Sequence, residues 1–106
     1  VLVNSQYIEN VDFYYCDLTG TFEKCRLNEC KIYKSKLKNC EILYGTKIKD
    51  SRIYECQFHG IEIYVYDSFI KNSEYALIEA FLDNCIVCGK IEFNSVVDKN
   101  TQIINI

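Results

Sequence analysis

Large apolar residues recur along this chain at a step of five. They are Ile8, Phe13, Leu18, Phe22, Leu27, Ile32, Leu37, Ile42, Ile48, Ile53, Phe58 and Ile63, with one step of four and one of six. Neither the helical period of 3.6 nor the strand period of 2 produces this spacing. A period of five suits short extended segments joined by tight corners, and it therefore indicates a solenoid.

A small residue lies two positions before most of these large ones. The set is Cys16, Gly20, Cys25, Cys30, Ser35, Cys40, Thr46, Ser51 and Cys56. Each segment would then point one large and one small side chain inward. We expect four such sides to form a coil of about 20 residues, with coils pairing as parallel strands about 4.8 Å apart. The predicted fold is an all-β, right-handed parallel β-helix.

The predicted domain is single and covers residues 1–106. The repeat is regular over 11–63 and irregular over 64–106, where Ser68/Ile70, Ser73/Tyr75, Ala80/Leu82, Cys85/Val87 and Ser95/Val97 would continue the pairing. A short helix over residues 76–82 is the alternative there, on propensity. We expect Ile103, Ile104 and Ile106 to cap the last coil or to pair with another chain, because an open coil end is an unpaired edge.

The repeat resembles that of the pentapeptide-repeat family, and Cys16-Asp17-Leu18-Thr19-Gly20 matches the family pattern best. The resemblance covers residues 11 to 63, with Arg, Lys, Glu or Gln often replacing the family's Asp or Asn, so the chain resembles a divergent member. It implies a four-sided β-helix. Some members of that family mimic duplex DNA and occupy the DNA groove of gyrase.

Seven cysteines invite a metal-site or disulfide hypothesis, but the repeat explains six of them. Those six occupy the small inward position that Ser35 and Ser51 also occupy. Free cysteine behaves there as a small apolar residue. The odd count indicates a reducing compartment, so we expect a cytoplasmic protein in a bacterial or phage-infected cell. Only Cys88 falls outside the pattern.

No catalytic motif is present, and we predict that the chain is not an enzyme and has no cofactor or metal. His59 is the sole histidine, at an outward position without a predicted nucleophile beside it. No phosphate-binding loop or metalloprotease motif occurs. No apolar run approaches the roughly 20 residues of a membrane-spanning helix, so no membrane partner is expected.

A four-sided coil would place Phe13, Ile32 and Ile53 on one side. The predicted interaction surface is therefore an outward ladder of Tyr14, Tyr33 and Tyr54 with Lys31 and Arg52 beside it. Arg26 and Lys47 would lie on the adjoining side. Tyrosine and arginine are typical of interface anchors. The alternative is that the stacked tyrosines only cover the sheet.

Charge is unevenly distributed along the chain. Residues 23–52 carry nine Lys or Arg and four acids, whereas residues 53–106 carry three and eight. We therefore predict a protein-interaction module, of which an inhibitor of a nucleic-acid-acting enzyme, including a DNA mimic, is one form. The alternative is a structural component of a virion or fibre. Direct nucleic-acid binding is less favoured because of the acidic balance, and self-association through coil ends is also expected.

Overall fold

The computed structural model of the chain describes residues 1–93 and 100–104, and within them it contains strands and no helix. No helix of this part of the chain could therefore cross a membrane. The strands are β1 (Leu2–Glu9), β2 (Asp12–Tyr14), β3 (Asp17–Glu23), β4 (Arg26–Asn28), β5 (Lys31–Tyr33), β6 (Lys36–Lys38), β7 (Glu41–Ile42), β8 (Lys47–Lys49), β9 (Arg52–Tyr54), β10 (Gln57–Phe58), β11 (Tyr64–Tyr66), β12 (Phe69–Ile78), β13 (Phe81–Asp83), β14 (Ile86–Phe93) and β15 (Gln102–Ile104).

The strands form the walls of a tube and pair in parallel. Side 1 consists of β2, β4, β7 and β10. Side 2 consists of the first halves of β1 and β3 with β5, β8, β11 and β13. Side 3 consists of the second halves of β1 and β3, then β6, β9, the starts of β12 and β14, and β15. The chain passes through sides 1, 2 and 3 in turn, so the fold is a β-solenoid, as predicted.

The predicted number of sides is wrong, because the strand register closes each coil after three sides and not four. Phe13 pairs with Leu27, which is the third large residue of the repeat after it, and Leu18 pairs with Ile32 in the same way. Later coils also close after three sides, as the pairing of Ile48 with Val65 shows. A step of five is compatible with either number of sides. The number is set by how sharply each corner turns.

The centre of the tube is filled by the large residues of the repeat. The fully buried ones include Leu18, Phe22, Leu27, Ile32, Leu37, Ile42, Ile48, Ile53 and Phe58. The small residues before them are buried at every predicted position from Cys25 to Cys56, whereas Cys16, in the first coils, is half-buried. Burial of apolar area contributes about 25 cal/mol per Å². The two inward positions of the repeat are thus confirmed over this span.

Most corners have left-handed backbone at one residue. Among the described residues, eleven that are not glycine have positive φ, including Tyr15 (56°), Lys24 (53°), Lys34 (48°) and Asn84 (54°). Most of these residues donate their N–H to a carbonyl of the next coil, as Lys34 does to Lys49 at 3.1 Å. This conformation costs energy for residues with a Cβ atom. Stacking of the coils supplies the compensating hydrogen bonds.

The small residues form columns along the inside of the corners. The serine column, between sides 2 and 3, is Ser35, Ser51 and Ser68; the cysteine column, between sides 3 and 1, is Cys25, Cys40 and Cys56. Within the serine column, each hydroxyl accepts a backbone N–H from the previous coil, at 3.1 to 3.2 Å. Each also donates to the carbonyl two residues before its own, at 2.7 to 2.9 Å.

The C-terminal part continues the solenoid, and the alternative helix over residues 76–82 is wrong, because this segment lies in strands β12 and β13. Ser68/Ile70, Ala80/Leu82 and Cys85/Val87 are buried as predicted. Ser73 is exposed, and Asn72 takes the buried corner position instead. The side chain of Tyr75, the pair Ser95/Val97 and Ile106 lie outside the described part.

Two parts of the chain differ from the expected repeat. Ile63 is buried, but it takes the small corner position and Val65 fills the centre, because the loop after Phe58 contains two extra residues. Phe58 is therefore the last central residue of the regular span. Ile103 and Ile104 lie on β15 and are 45% and 49% exposed. A cap formed by these two residues is not visible.

Candidate interaction surface

The predicted tyrosine ladder does not form, because a three-sided coil distributes its members over all three walls. Tyr14 lies on side 1, Tyr33 on side 2 and Tyr54 on side 3. Tyr14 and Tyr33 are exposed, whereas Tyr54 is half-buried. The prediction assumed that every fourth large residue returns to the same wall, so that the tyrosines beside these residues would stack. In a three-sided coil every third large residue returns to the same wall, and the side chains beside those residues stack instead.

The cationic candidates are brought together in part. Lys31 stacks directly on Lys47 on side 2, and Arg52 stacks on Lys36 on side 3. Arg26 is separate, on side 1, where its Nε donates to the Glu41 carboxylate at 3.0 Å. The predicted neighbours Arg26 and Lys47 therefore do not share a surface.

Sides 2 and 3 and the corner between them carry what we call the basic face. Its members are Lys31, Lys34, Lys36, Lys38, Lys47, Lys49 and Arg52, all exposed. Sequence reasoning identified Lys31, Lys47 and Arg52 but missed the other four. The sequence pattern that could have identified most of them is Lys-x-Lys at 36/38 and 47/49. The two lysines of each pair lie on either side of one inward residue in a strand, so both point outward.

The basic face makes no ion pair with the chain's own acids in the part that the structure describes. The ion pairs within residues 1–93 and 100–104 are Lys24–Glu9 and Arg26–Glu41. Two lysines of the basic face instead lie over aromatic rings. Lys36 Nζ is 5.6 Å from the Tyr54 ring centroid, and Lys47 Nζ is 5.9 Å from that of Tyr64. These contacts hold the cations against the wall without cancelling their charge.

Aromatic residues continue the same two sides toward the C-terminus. Tyr64 stacks on Phe81 with ring centroids 5.0 Å apart, and Tyr66 lies 6.4 Å from Tyr64. On side 3, Phe69 packs edge-on against Tyr54 at 6.0 Å. Phe81 and Ile86 remain 43% and 42% exposed. A basic region and an apolar region therefore adjoin along the solenoid axis.

Negative charge is concentrated near the corner between sides 1 and 2. Tyr44 donates its hydroxyl to the Glu62 carboxylate at 3.0 Å, and this bond raises the pKa of Tyr44. A hydrogen bond to Glu29 likewise raises the pKa of Tyr15. Because the tyrosines keep their protons, each carboxylate gains a hydrogen-bond donor. This corner carries two carboxylates, and Lys47 of the basic face lines the same hollow.

A shallow groove runs parallel to the solenoid axis beside the corner between sides 2 and 3. It consists of two adjoining hollows of about 580 and 400 Å³ that share Asp50 and Arg52. The first is also lined by Lys34 and Lys36, and the second by Phe69 and Ile86 with Asp67 on its rim. The groove therefore carries three cations in its first half and two apolar side chains in its second, and Asp50 and Asp67 add carboxylates to its lining.

The cysteines of the described residues are buried in the interior, apart from the half-buried Cys16 and Cys88. No group of three or more potential metal ligands is found there, and all seven cysteines are free. Burial is the main factor that raises the pKa of Cys25, Cys30, Cys56 and Cys85. These thiols remain protonated at neutral pH and are poor nucleophiles.

Comparison with known proteins adds a similarity to solved structures. No family model matches the chain, and no curated protein matches it. The chain is similar to the crystal structure of a pentapeptide repeat protein, Rfr23, from the cyanobacterium Cyanothece 51142. Sequence identity is 10% and the TM-score is 0.29, over 95% of this chain and 86% of that one. The assignment as a β-solenoid of five-residue repeats rests on this chain's own strand register.

Proposed function

We propose that this chain is a non-enzymatic protein-interaction module that binds an acidic partner protein through the basic face. The observation that carries the proposal is the set of exposed cations on two adjoining walls, none of which is in an ion pair within the described part of the chain. Like charges on neighbouring strands raise each other's energy. A partner with complementary charge relieves that repulsion and is steered toward the face.

The wall beneath these cations is rigid, which favours recognition by a preformed surface. Lys31 and Lys47 extend from strands that pair in parallel register, and the residues that follow them, Ile32 and Ile48, are fully buried. Little backbone entropy is therefore lost on binding. The aromatic residues beside the basic face supply apolar contact area, a combination typical of interface centres.

The alternatives of nucleic-acid binding and DNA mimicry fit the surface less well. A DNA mimic needs continuous acidic charge along its walls, whereas sides 2 and 3 are basic at their middle. Direct binding of a nucleic acid would suffer repulsion from Asp50 and Asp67, which lie on the corner between those sides. The net charge of −3 also opposes a polyanion.

Affinity capture from an extract of the source organism tests the proposal. The wild-type chain is compared with Lys31→Glu/Lys47→Glu and with Lys24→Glu/Arg26→Glu, a matched double reversal outside the basic face. We expect an acidic protein that the wild type and the second variant retain and that the first variant loses. Recovery of that protein at equal yield with all three chains would contradict a role for the basic face.

A further inference from the structure

We infer that the groove beside the corner between sides 2 and 3 binds an extended peptide segment of the partner, with acidic residues at one end and apolar residues at the other. This inference rests on the proposed function and specifies the form of the partner. Lys34, Lys36 and Arg52 would bind the acidic end, and Phe69 and Ile86 the apolar end.

The length of the groove suits a short extended peptide. Its lining residues run from Ser5 to Ile86 and cover six successive coils at this corner, through Gly20, Ser35, Ser51 and Ser68. With about 4.8 Å between neighbouring strands, five steps span about 24 Å. Roughly seven residues of extended chain, at about 3.3 Å each, cover the same distance.

The polar atoms at the floor of the groove are already committed to the solenoid. The Ser35 hydroxyl donates to the Tyr33 carbonyl at 2.7 Å and accepts from the Gly20 N–H at 3.1 Å. The Ser51 and Ser68 hydroxyls make the equivalent bonds. Specific recognition must therefore come from the long side chains on the groove wall, and these are cations in the first half.

The order of side chains along the groove defines the order of charge in the peptide. Strand pairing places Lys36, Arg52, Phe69 and Ile86 in one outward column on side 3. The column changes from cationic to apolar between Arg52 and Phe69. A peptide with segregated acidic and apolar residues matches it, whereas one with the same residues interspersed leaves carboxylates against Phe69 and Ile86. Placing a charge there carries a desolvation cost.

A single-stranded nucleic acid is the main competing occupant. Two basic coils extend only about 5 Å along the axis from Lys36 to Arg52, which matches one or two phosphates. Asp50, in the coil of Arg52, and Asp67, in the next coil, also line the groove. A uniform polyanion would meet both carboxylates, whereas the apolar end of the peptide places no charge beside Asp67.

Fluorescence polarisation with a labelled heptapeptide tests the inference. The peptide has glutamate at positions 1 and 3, leucine at positions 5 and 7, and serine between them. The composition control has glutamate at 1 and 5 and leucine at 3 and 7. We expect the segregated peptide to bind at least about fivefold more tightly than the control, a difference of about 1 kcal/mol.

Matched variants separate the groove from general charge attraction. Lys36→Gln/Arg52→Gln removes two groove cations, and Lys31→Gln/Lys38→Gln removes two cations of the basic face that do not line the groove. We expect the first pair to weaken the segregated peptide by at least about tenfold and the second by less than about twofold. Ile86→Thr should weaken it more than Phe81→Thr, because Phe81 lies outside the groove.

Three outcomes would overturn the inference. These are equal loss of affinity in both glutamine pairs, equal binding of the two peptides, and tighter binding of a mixed-sequence single-stranded oligonucleotide with the same dependence on Lys36 and Arg52. If the peptide fails to bind while capture of the partner protein still depends on Lys31 and Lys47, only the inference fails. If capture is also unaffected by those residues, the proposed function fails as well.

Discussion

The serine column and the cysteine column occupy the same position of the repeat at two different corners, and Ser51 and Cys56 make the same bonds there with different atoms. Ser51 donates to a carbonyl at 2.9 Å and accepts an N–H at 3.2 Å. Cys56 donates at 3.4 Å and accepts an N–H at 3.4 Å, distances ordinary for sulfur. Both residues are nearly inaccessible to solvent.

This comparison identifies what the corner requires. At Ser51 and Cys56 the position holds a small side chain with one donor and one acceptor, because a backbone N–H of the previous coil and a carbonyl of their own coil point toward it. The thiol sulfur fills more of the corner but forms weaker hydrogen bonds, whereas the hydroxyl oxygen forms stronger hydrogen bonds and fills less space. Cysteine therefore suits this position through its packing and its hydrogen bonding.

The largest expected effect comes from the corner where the serine column begins, at Gly20, which has no side chain. Its φ is 140°, and a Cβ atom added there would overlap the Ser5 carbonyl oxygen. We expect Gly20→Ala to lower the free energy of unfolding by about 4 kcal/mol or more, since backbone must move. Chemical denaturation measures the change.

Gly45→Ala is the matched control for that substitution. A Cβ atom at Gly45 would meet the flexible Glu29 side chain at 2.9 Å, and φ is 74°. The expected cost is only about 1–2 kcal/mol, from left-handed backbone with a side chain. Similar costs for both substitutions would show that the tight approach at Gly20 is relieved by movement of the first coil.

The second prediction compares the two columns directly through Ser51→Ala and Cys56→Ala. Each substitution removes the acceptor for a buried N–H, that of Ser35 or of Cys40. We expect each to cost about 1–3 kcal/mol of unfolding free energy. The exchanges Ser51→Cys and Cys56→Ser, which keep a donor and an acceptor, should each cost less than the matching alanine variant. If an exchange costs more than its alanine variant, the columns are not equivalent.

The third prediction uses pH to distinguish sulfur from oxygen. Burial raises the pKa of Cys56 well above its ordinary value. Below about pH 8.5 the thiol is protonated in both states, whereas above it the unfolded chain loses the proton first, so stability falls as pH rises toward the folded-state pKa. We expect Cys56→Ser to reduce this fall by up to about 1.4 kcal/mol per pH unit.

Denaturation at pH 8 and pH 10 measures that difference for the wild type, Cys56→Ser and Ser51→Ala. Cys56→Ser also changes Cys40, whose pKa is lowered by its hydrogen bond to the Cys56 side chain, so the measured difference belongs to this pair of thiols. Ser51→Ala, which keeps every thiol, should therefore retain the wild-type slope. The same slope in Cys56→Ser and wild type would mean that the folded state gives up this proton as readily as the unfolded state.

The smallest predicted effect concerns the backbone of the corner residue that precedes Ser35. Lys34 has φ of 48°, whereas Lys36 lies in a wall strand of the same coil. Lys34→Gly should raise the unfolding free energy by up to about 1 kcal/mol, because glycine adopts this conformation without a steric penalty. Lys36→Gly should lower it by roughly 0.5–1 kcal/mol. Thermal denaturation of both variants provides the measurement, and destabilisation by Lys34→Gly would contradict a strained corner.

Much of the interior could be predicted from the spacing of residues alone. The step of five assigns Phe22 and Leu37 to the centre of the tube and Cys40 to a corner, and all three are buried. Local alternation is sufficient for such assignments, because it depends only on which way a side chain points along a short strand. The same logic explains six cysteines without any site chemistry.

The candidate site could not be predicted in the same way, because it depends on which residues stack. Tyr33 and Tyr54 were expected on one wall and lie on two, whereas Lys36 and Arg52 do stack because they occupy the same side of successive coils. Extra residues near Gly45 and Gly60 lengthen the later coils, so the number of residues between stacked positions changes again. An error in the number of sides assigns residues to the wrong wall, and the misassignment grows with every coil.

The sequence by itself determined the repeat, the two inward positions and the structural role of the corner cysteines, because these follow from the direction of neighbouring side chains. Only the tertiary structure decided that a coil has three sides. That number depends on left-handed backbone at nearly every corner and on hydrogen bonds between coils, neither of which is written in a five-residue period. The basic face and its groove are consequences of that closure.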